Sequence, residues 1–239
     1  MKVCSVNLCS SELGPTRTTQ DNSLSVELQR LCLQLSSPNK EFYRIFDQLQ
    51  SSSITKLPQP SITLQPGGVV GDRHFRSDVI RNVDGKFFNL SSYRQVSILS
   101  RERYAELNEL HNKNVQPGQF GENIQIEGCT SIESLSQGTI VQFGDTAQIK
   151  IMHLRTYCYK FSIVLFSNPD DYFFWRKNRS YQPIHRIGVT GQVIKSGPVK
   201  SGDAMRIVHT PPEHVGLRYF DPLIDGVASL TPCDPPTNT

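Results

Sequence analysis

Apolar and polar positions alternate along residues 2–8 (KVCSVNL), a run rich in β-formers that predicts a first strand. Residues 10–22 are polar and turn-rich. The period then turns helical. Val26, Leu28, Leu31, Cys32, Leu33 and Leu35 in SVELQRLCLQL predict one helix. Phe42, Ile45, Phe46 and Leu49 in KEFYRIFDQLQ predict another. Pro38-Asn39 separates the two, and Ser51-Ser52-Ser53 with Pro58 and Pro60 closes the second. From residue 61 short strand-like runs take over: ITLQ, QVSIL, NIQIE, TIVQF, AQIKIMHL, IGVTGQVI and AMRIV. Turn pairs such as Pro117-Gly118, Gly144-Asp145 and Gly202-Asp203 punctuate them, which indicates a barrel or sandwich. One helix interrupts from Ser100 to His111, with Ser100 as its cap and Tyr104, Leu107 and Leu110 on one face. DDYFFWRKNR (170–179) reads as a short helix or a lid, and periodicity does not decide between them. The pattern predicts one domain over 1–210 with a helical insertion near 24–50. The proline-rich tail, 211–239, is expected to run extended over the surface.

Composition narrows the class. Hydrophobic residues make up 37% and charged residues 20%, enough for a core and unlike a disordered chain. The apolar runs are too short for a transmembrane helix, and MKVCSVNLCSSEL does not read as a secretory signal. A cytoplasmic, reducing location is expected, with no membrane partner. The net charge of +3 is unevenly spread. Lys150, Arg155, Lys160, Arg176, Lys177, Arg179, Arg186 and Lys195 face only Asp170 and Asp171 in their stretch, so 150–195 carries +6 and the remainder −3. Such a segment favours an anionic partner, or is an uneven solvated surface. None of the six cysteines forms a Cys-x-x-Cys pair or a zinc-finger cluster with histidine.

Five segments in order carry a resemblance: GGVVGDRHF (67–75), RQVSILSRE (94–102), PGQFGENIQIEG (117–128), HLRTYCYKF (153–161) and GVTGQVIKSGPVKSGD (188–203). Together they resemble the MOSC domain, the type found as the C-terminal domain of the molybdenum-cofactor sulfurase. The resemblance covers about 61–208. It implies a mainly β fold, a closed MOSC-type β-barrel with a few peripheral helices, in which the 24–50 helices are an insertion. It implies a role with the molybdenum cofactor (Mo-molybdopterin), in sulfur transfer or in reduction of N-hydroxylated compounds. Pyridoxal phosphate binding is attached to the family at large. It belongs to a separate sulfurase domain, and no Schiff-base lysine motif stands in this chain.

The resemblance places the family's reactive cysteine at Cys158, as catalytic thiol and as a ligand to molybdenum. Arg155 and Lys160 flank it and His153 lies near it, and positive neighbours favour the thiolate that attacks sulfur or binds a soft metal. The alternative is a structural cysteine at a strand end. Gly121, Glu122 and Asn123 follow a turn and open a strand. Gly121 permits close backbone approach and Asn123 suits a pterin edge. They read equally as a strand start with Glu122 paired to a basic side chain. In Gly71-Asp72-Arg73-His74, Arg73 suits a phosphate and His74 an anion or a proton transfer, with Asp72 fixing the loop. Arg94 and Arg155 suit a phosphate clamp. Tyr157 stands where relatives often carry proline.

Two readings compete, beside a third in which the barrel is a structural remnant with no ligand. In the first, the chain binds a small-molecule cofactor or substrate at Cys158. It then depends on a separate sulfur-donor or electron-transfer protein, since no flavin or haem motif is present. In the second, a barrel without chemistry holds an anionic ligand or a nucleic-acid strand, with Tyr157, Tyr159, Phe173, Phe174 and Trp175 stacking bases. The second is disfavoured, because a single aromatic cluster is more often core.

Overall fold

The computed structural model describes residues 1–9, 16–51, 56–72, 75, 80–83, 86–90, 95–155, 159–166, 168–177, 186–219 and 230–232. Strand β1 (Lys2–Leu8) is followed by helices α1 (Thr16–Gln34) and α2 (Lys40–Ser51). Next come β2 (Leu57–Gln59), β3 (Ser61–Gln65), β4 (Gly68–Val69), β5 (Ile80–Val83), β6 (Lys86–Leu90) and β7 (Val96–Ser100). Helix α3 (Arg101–Leu110) leads to β8 (Ile124–Glu127), a 3-10 turn (Ile132–Ser134), β9 (Ile140–Phe143) and β10 (Ala147–Leu154). Helices α4 (Tyr159–Leu165) and α5 (Pro169–Lys177) precede β11 (Val189–Lys195), β12 (Gly197–Lys200), β13 (Met205–His209) and β14 (Leu230–Pro232).

The fold is mainly β. Eight strands form one mixed sheet in the order β13-β9-β10-β11-β7-β8-β1-β2, with the β7–β8 pair parallel. Two three-stranded sheets, β12-β3-β4 and β14-β6-β5, accompany it. One face of the large sheet buries Val3, Val6, Ile98, Ile124, Ile149, Ile151 and Val189; the register shift in β1 between Val3 and Ser5 brings Val3 and Val6, three apart, into the same core.

The expected closed barrel is replaced by an open ladder. The second edge of β1 is shared: Val6–Leu8 pair with β2, leaving only its start for β13. There the two ends of the ladder approach through the single bridge pair Lys2–Ala204. Backbone bonds Val3 N–H to Asp203 O (2.8 Å) and Gly202 N–H to Val3 O (2.9 Å) accompany it.

The helices form a second core on their own. Phe42 and Phe46 of α2 stack, and Phe42 meets Tyr172 and Phe173 of α5 at 6.4 and 5.1 Å between ring centres. Leu28 and Cys32 of α1 and Ile163 of α4 complete the cluster. The aromatic segment at 170–179 is therefore helical over Pro169–Lys177, and its Tyr172 and Phe173 fill a core. Helix α1 begins at Thr16, inside the stretch expected to be turns, because polar residues propagate a helix without leaving an apolar period. Three positions expected on apolar faces, Val26, Leu33 and Leu110, are exposed. The cap is as expected: Ser100 Oγ accepts from Arg103 N–H at 3.2 Å. The hairpin β5–β6 and the late strand β14 carried no signal in the pattern. The described start of the tail, 211–219, meets the rest of the domain through bridges Ser136–Gly216 and Leu154–Tyr219. No helix among the described residues is long and apolar enough to cross a membrane.

Candidate functional site

Strand register puts a polar row across the large sheet. His153 stands opposite Thr190, and Thr190 opposite Ser97, so the three share one face. Ser97 continues the row into Asn123, whose Oδ1 accepts from the Ser97 hydroxyl (3.1 Å) and amide (3.2 Å). Asn123 Nδ2 donates to Asp72 Oδ2 at 3.1 Å, and Asp72 Oδ2 pairs with Lys56 Nζ at 2.8 Å. The Lys56–Asp72 pair is buried, with 5% and 2% of the side-chain surfaces exposed. Burial holds the Lys56 ammonium below the ordinary lysine range, against the attraction of Asp72. Asp72 also accepts from the Cys9 amide at 3.3 Å, which is the loop-fixing role expected for it.

Beside this row the segment from Val115 to Asn123 makes a tight loop. Gly118 and Gly121 have φ of +85° and +75°, a region that favours glycine. Glu122, fully buried, sits beneath the loop. Its Oε1 accepts from Gly118 N–H (2.5 Å) and from Asn7 Nδ2 (3.3 Å), and its Oε2 accepts from the Tyr104 hydroxyl (2.6 Å). Burial pushes the Glu122 carboxyl up, with the Tyr104 hydrogen bond and the Arg155 charge opposing. The Tyr104 hydroxyl is pushed up in turn, first by burial and then by Glu122.

Arg155 joins the loop to the end of β10. Its backbone N–H donates to Gly188 O at 2.9 Å. Its Nη2 donates to the Phe120 carbonyl, and its guanidinium lies 5.9 Å from the Phe161 ring centre. Its Nη1 is buried and has no hydrogen-bond partner among the described residues. The Thr190 hydroxyl is in the same state.

The structure thus brings Gly121, Glu122, Asn123 and Arg155 together, four of the residues the motifs singled out. Arg73, His74, Arg94 and Cys158 lie outside the described residues. Lys160 is in the first turn of α4. Glu122 pairs with Tyr104, Asn7 and a backbone amide in place of the basic side chain that one reading gave it. Lys56, Asn7, Tyr104 and Thr190 were not singled out. Lys56 is the instructive case: a lysine next to a proline-rich turn reads as surface, and only its buried contact with Asp72 distinguishes it.

Three of the other thiols, Cys4, Cys32 and Cys129, are poor candidates for chemistry. Burial and then Glu127 push Cys4 up to about 11. Burial raises Cys129, and Cys32 is enclosed among the helices. At pH 8, Cys4 is therefore roughly one part in a thousand thiolate. We expect Cys4, Cys32 and Cys129 to remain unlabelled by iodoacetamide at that pH while the protein is folded. Rapid labelling of Cys4, mapped by peptide mass spectrometry, would contradict the half-buried, Glu127-bonded thiol. Among the described residues no group of three or more His, Cys, Asp or Glu side chains is placed to hold a metal ion.

A family model described as the MOSC domain matches residues 84–206, 123 of the 239 residues. Several solved structures are similar to the chain. YuaD from Bacillus subtilis is 20% identical with a TM-score of 0.52, over 64% of this chain and 87% of that one. YiiM from Geobacillus stearothermophilus is 15% identical with a TM-score of 0.49, over 69% of each chain. YiiM from Escherichia coli is 21% identical with a TM-score of 0.47, over 67% of this chain and 68% of that one. A comparison with curated proteins finds no match.

Proposed function

The chain belongs to the MOSC domain family, and from that premise we propose that it binds the molybdenum cofactor or carries sulfur for it, with Cys158 as the reactive thiol. The observation that supports this is Arg155. It stands three residues before Cys158, is anchored through one half of its guanidinium, and leaves Nη1 buried without a partner among the described residues. A buried donor left over fits an anionic group such as the cofactor's phosphate. Arg155 and the remaining N–H of Asn123 would hold it, with Gly121 allowing close approach and Arg73, His74, Arg94 and Lys160 as further proposed contacts. When bound, the cofactor supplies a soft, redox-active metal that a thiolate binds well.

In the sulfur-carrier form, the Cys158 thiolate attacks the outer sulfur of a donor persulfide. A Cys158–sulfur bond forms and the donor's sulfur–sulfur bond breaks. The donor leaves as a thiolate and Cys158 keeps the persulfide. The donor is a separate protein in a reducing, cytoplasmic setting. The nucleic-acid alternative loses support from the helices: Phe173, one of its proposed stacking residues, is buried in the helical core, although Phe174 is exposed.

Protein purified from a cofactor-competent host should contain molybdenum by elemental analysis, or release thiocyanate on treatment with cyanide. Cys158→Ser should lose whichever is present, to below a tenth of the wild-type content, while retaining the wild-type circular dichroism spectrum. Protein with neither molybdenum nor cyanide-labile sulfur would overturn the proposal.

A further inference from the structure

Glu122 belongs to a motif that suggests a ligand contact, yet its position suggests a different use. Both carboxylate oxygens are spent inside the protein, on Tyr104, Asn7 and the Gly118 amide, and none of its surface is accessible. Its partners are themselves fixed. Asn7 Oδ1 accepts from the Ser5 hydroxyl at 2.8 Å. Lys56 N–H donates to Gly118 O at 2.9 Å, and Gly121 N–H donates to the same oxygen at 2.9 Å. The loop so pinned presents one outward group that matters for the site, the Phe120 carbonyl, and that carbonyl takes the Arg155 guanidinium. The Phe120 ring is clamped between Tyr104 (4.9 Å) and Phe161 (4.5 Å), so the carbonyl has little freedom to follow another acceptor.

We propose that Glu122 is a positioning residue, which touches no ligand and acts through the Phe120 carbonyl to aim the free half of the Arg155 guanidinium. The role rests on the proposed anion contact of Arg155 only for its purpose; the coupling of Glu122 to Arg155 is a property of the protein alone. Removing the carboxylate releases the Gly118 amide and the Tyr104 hydroxyl, frees the loop, and lets the Phe120 carbonyl leave Arg155. Glutamine keeps one carbonyl oxygen for Gly118 and holds the loop nearly as well.

The test labels the whole chain with phenylglyoxal and quantifies Arg155 by peptide mass spectrometry, with Cys32 alkylation in the same sample as the measure of general opening. Glu122→Ala should raise the Arg155 labelling rate about tenfold, the loss of hydrogen bonds to a charged group in a buried site, while Cys32 stays closed. Glu122→Gln should stay within about threefold of wild type. Tyr104→Phe, which removes one donor and leaves the loop amide bonded, should fall between them. If Glu122→Ala does not fold, the Gln and Phe variants decide. Unchanged Arg155 labelling in every folded variant, or a rise in Arg155 and Cys32 together, overturns the proposal. Inorganic phosphate added to the same reaction separates the two readings. Protection of Arg155 in wild type supports the anion contact. Absence of protection removes that contact and leaves the Glu122 coupling to be judged on the labelling rates.

Discussion

Replacing Lys56 with methionine is expected to destabilise the protein by about 3–5 kcal/mol, measured by chemical denaturation. Methionine fills the volume of the lysine stem, so packing is nearly kept. The cost arises at Asp72. Its carboxylate, 2% exposed, would keep the hydrogen bonds from Cys9 and Asn123 and lose the ammonium 2.8 Å away. Asp72→Asn alone should cost a similar amount, by leaving Lys56 charged and buried. The double variant should recover most of the loss, since a pair of neutral groups of the same shape removes the uncompensated charge. Additive losses in the double variant would show that the two side chains act separately.

The β part of this fold is legible because alternation is a local signal. Residues 2–8 alternate, and β1 spans the same seven residues. NIQIE and AQIKIMHL likewise become β8 and β10. What alternation cannot say is how strands compete for an edge. The expectation of closure fails at β1, where β2 and the Ala204 bridge divide one edge between them. The helical insertion was readable from Phe42, Ile45, Phe46 and Leu49, but its partner was not, because α2 buries that face against residues more than a hundred positions away in α5. The candidate site divides in the same way. Arg155, Glu122 and Asn123 stand in short motifs and could be named from the chain. Lys56, Asn7 and Tyr104 come from three separate parts of the chain and become visible only when the fold gathers them around Glu122 and Asp72. The sequence also made Glu122 and Asn123 look alike, as neighbours in one motif. The strand start separates them. Glu122 turns inward beneath the loop, while Asn123 enters the polar row with Ser97 and Asp72.

Gly118→Ala is the second large effect expected, about 3–6 kcal/mol, from a single added methyl group. The backbone at Gly118 has φ of +85°, which costs an alanine about 1–2 kcal/mol before any contact is considered. The new Cβ would also lie closer than 3.0 Å to the backbone carbonyl oxygen of Lys56, and 3.2 Å from Asn7 Cγ. A backbone atom cannot swing aside as a long side chain does, so the loop must move away from Lys56. That movement stretches the Lys56 N–H to Gly118 O bond and withdraws the Gly118 amide from Glu122. It also disturbs the lysine that pairs with Asp72. Gly202→Ala supplies the comparison. Gly202 has a similar φ of +94°, but nothing lies within 4 Å of the added methyl, so its cost should be confined to the conformational part, about 1–2 kcal/mol. Denaturation of the two variants side by side therefore isolates the price of crowding at the loop. Equal losses would mean that the approach of Gly118 to Lys56 contributes nothing, and that the loop is held by its dihedral angles alone.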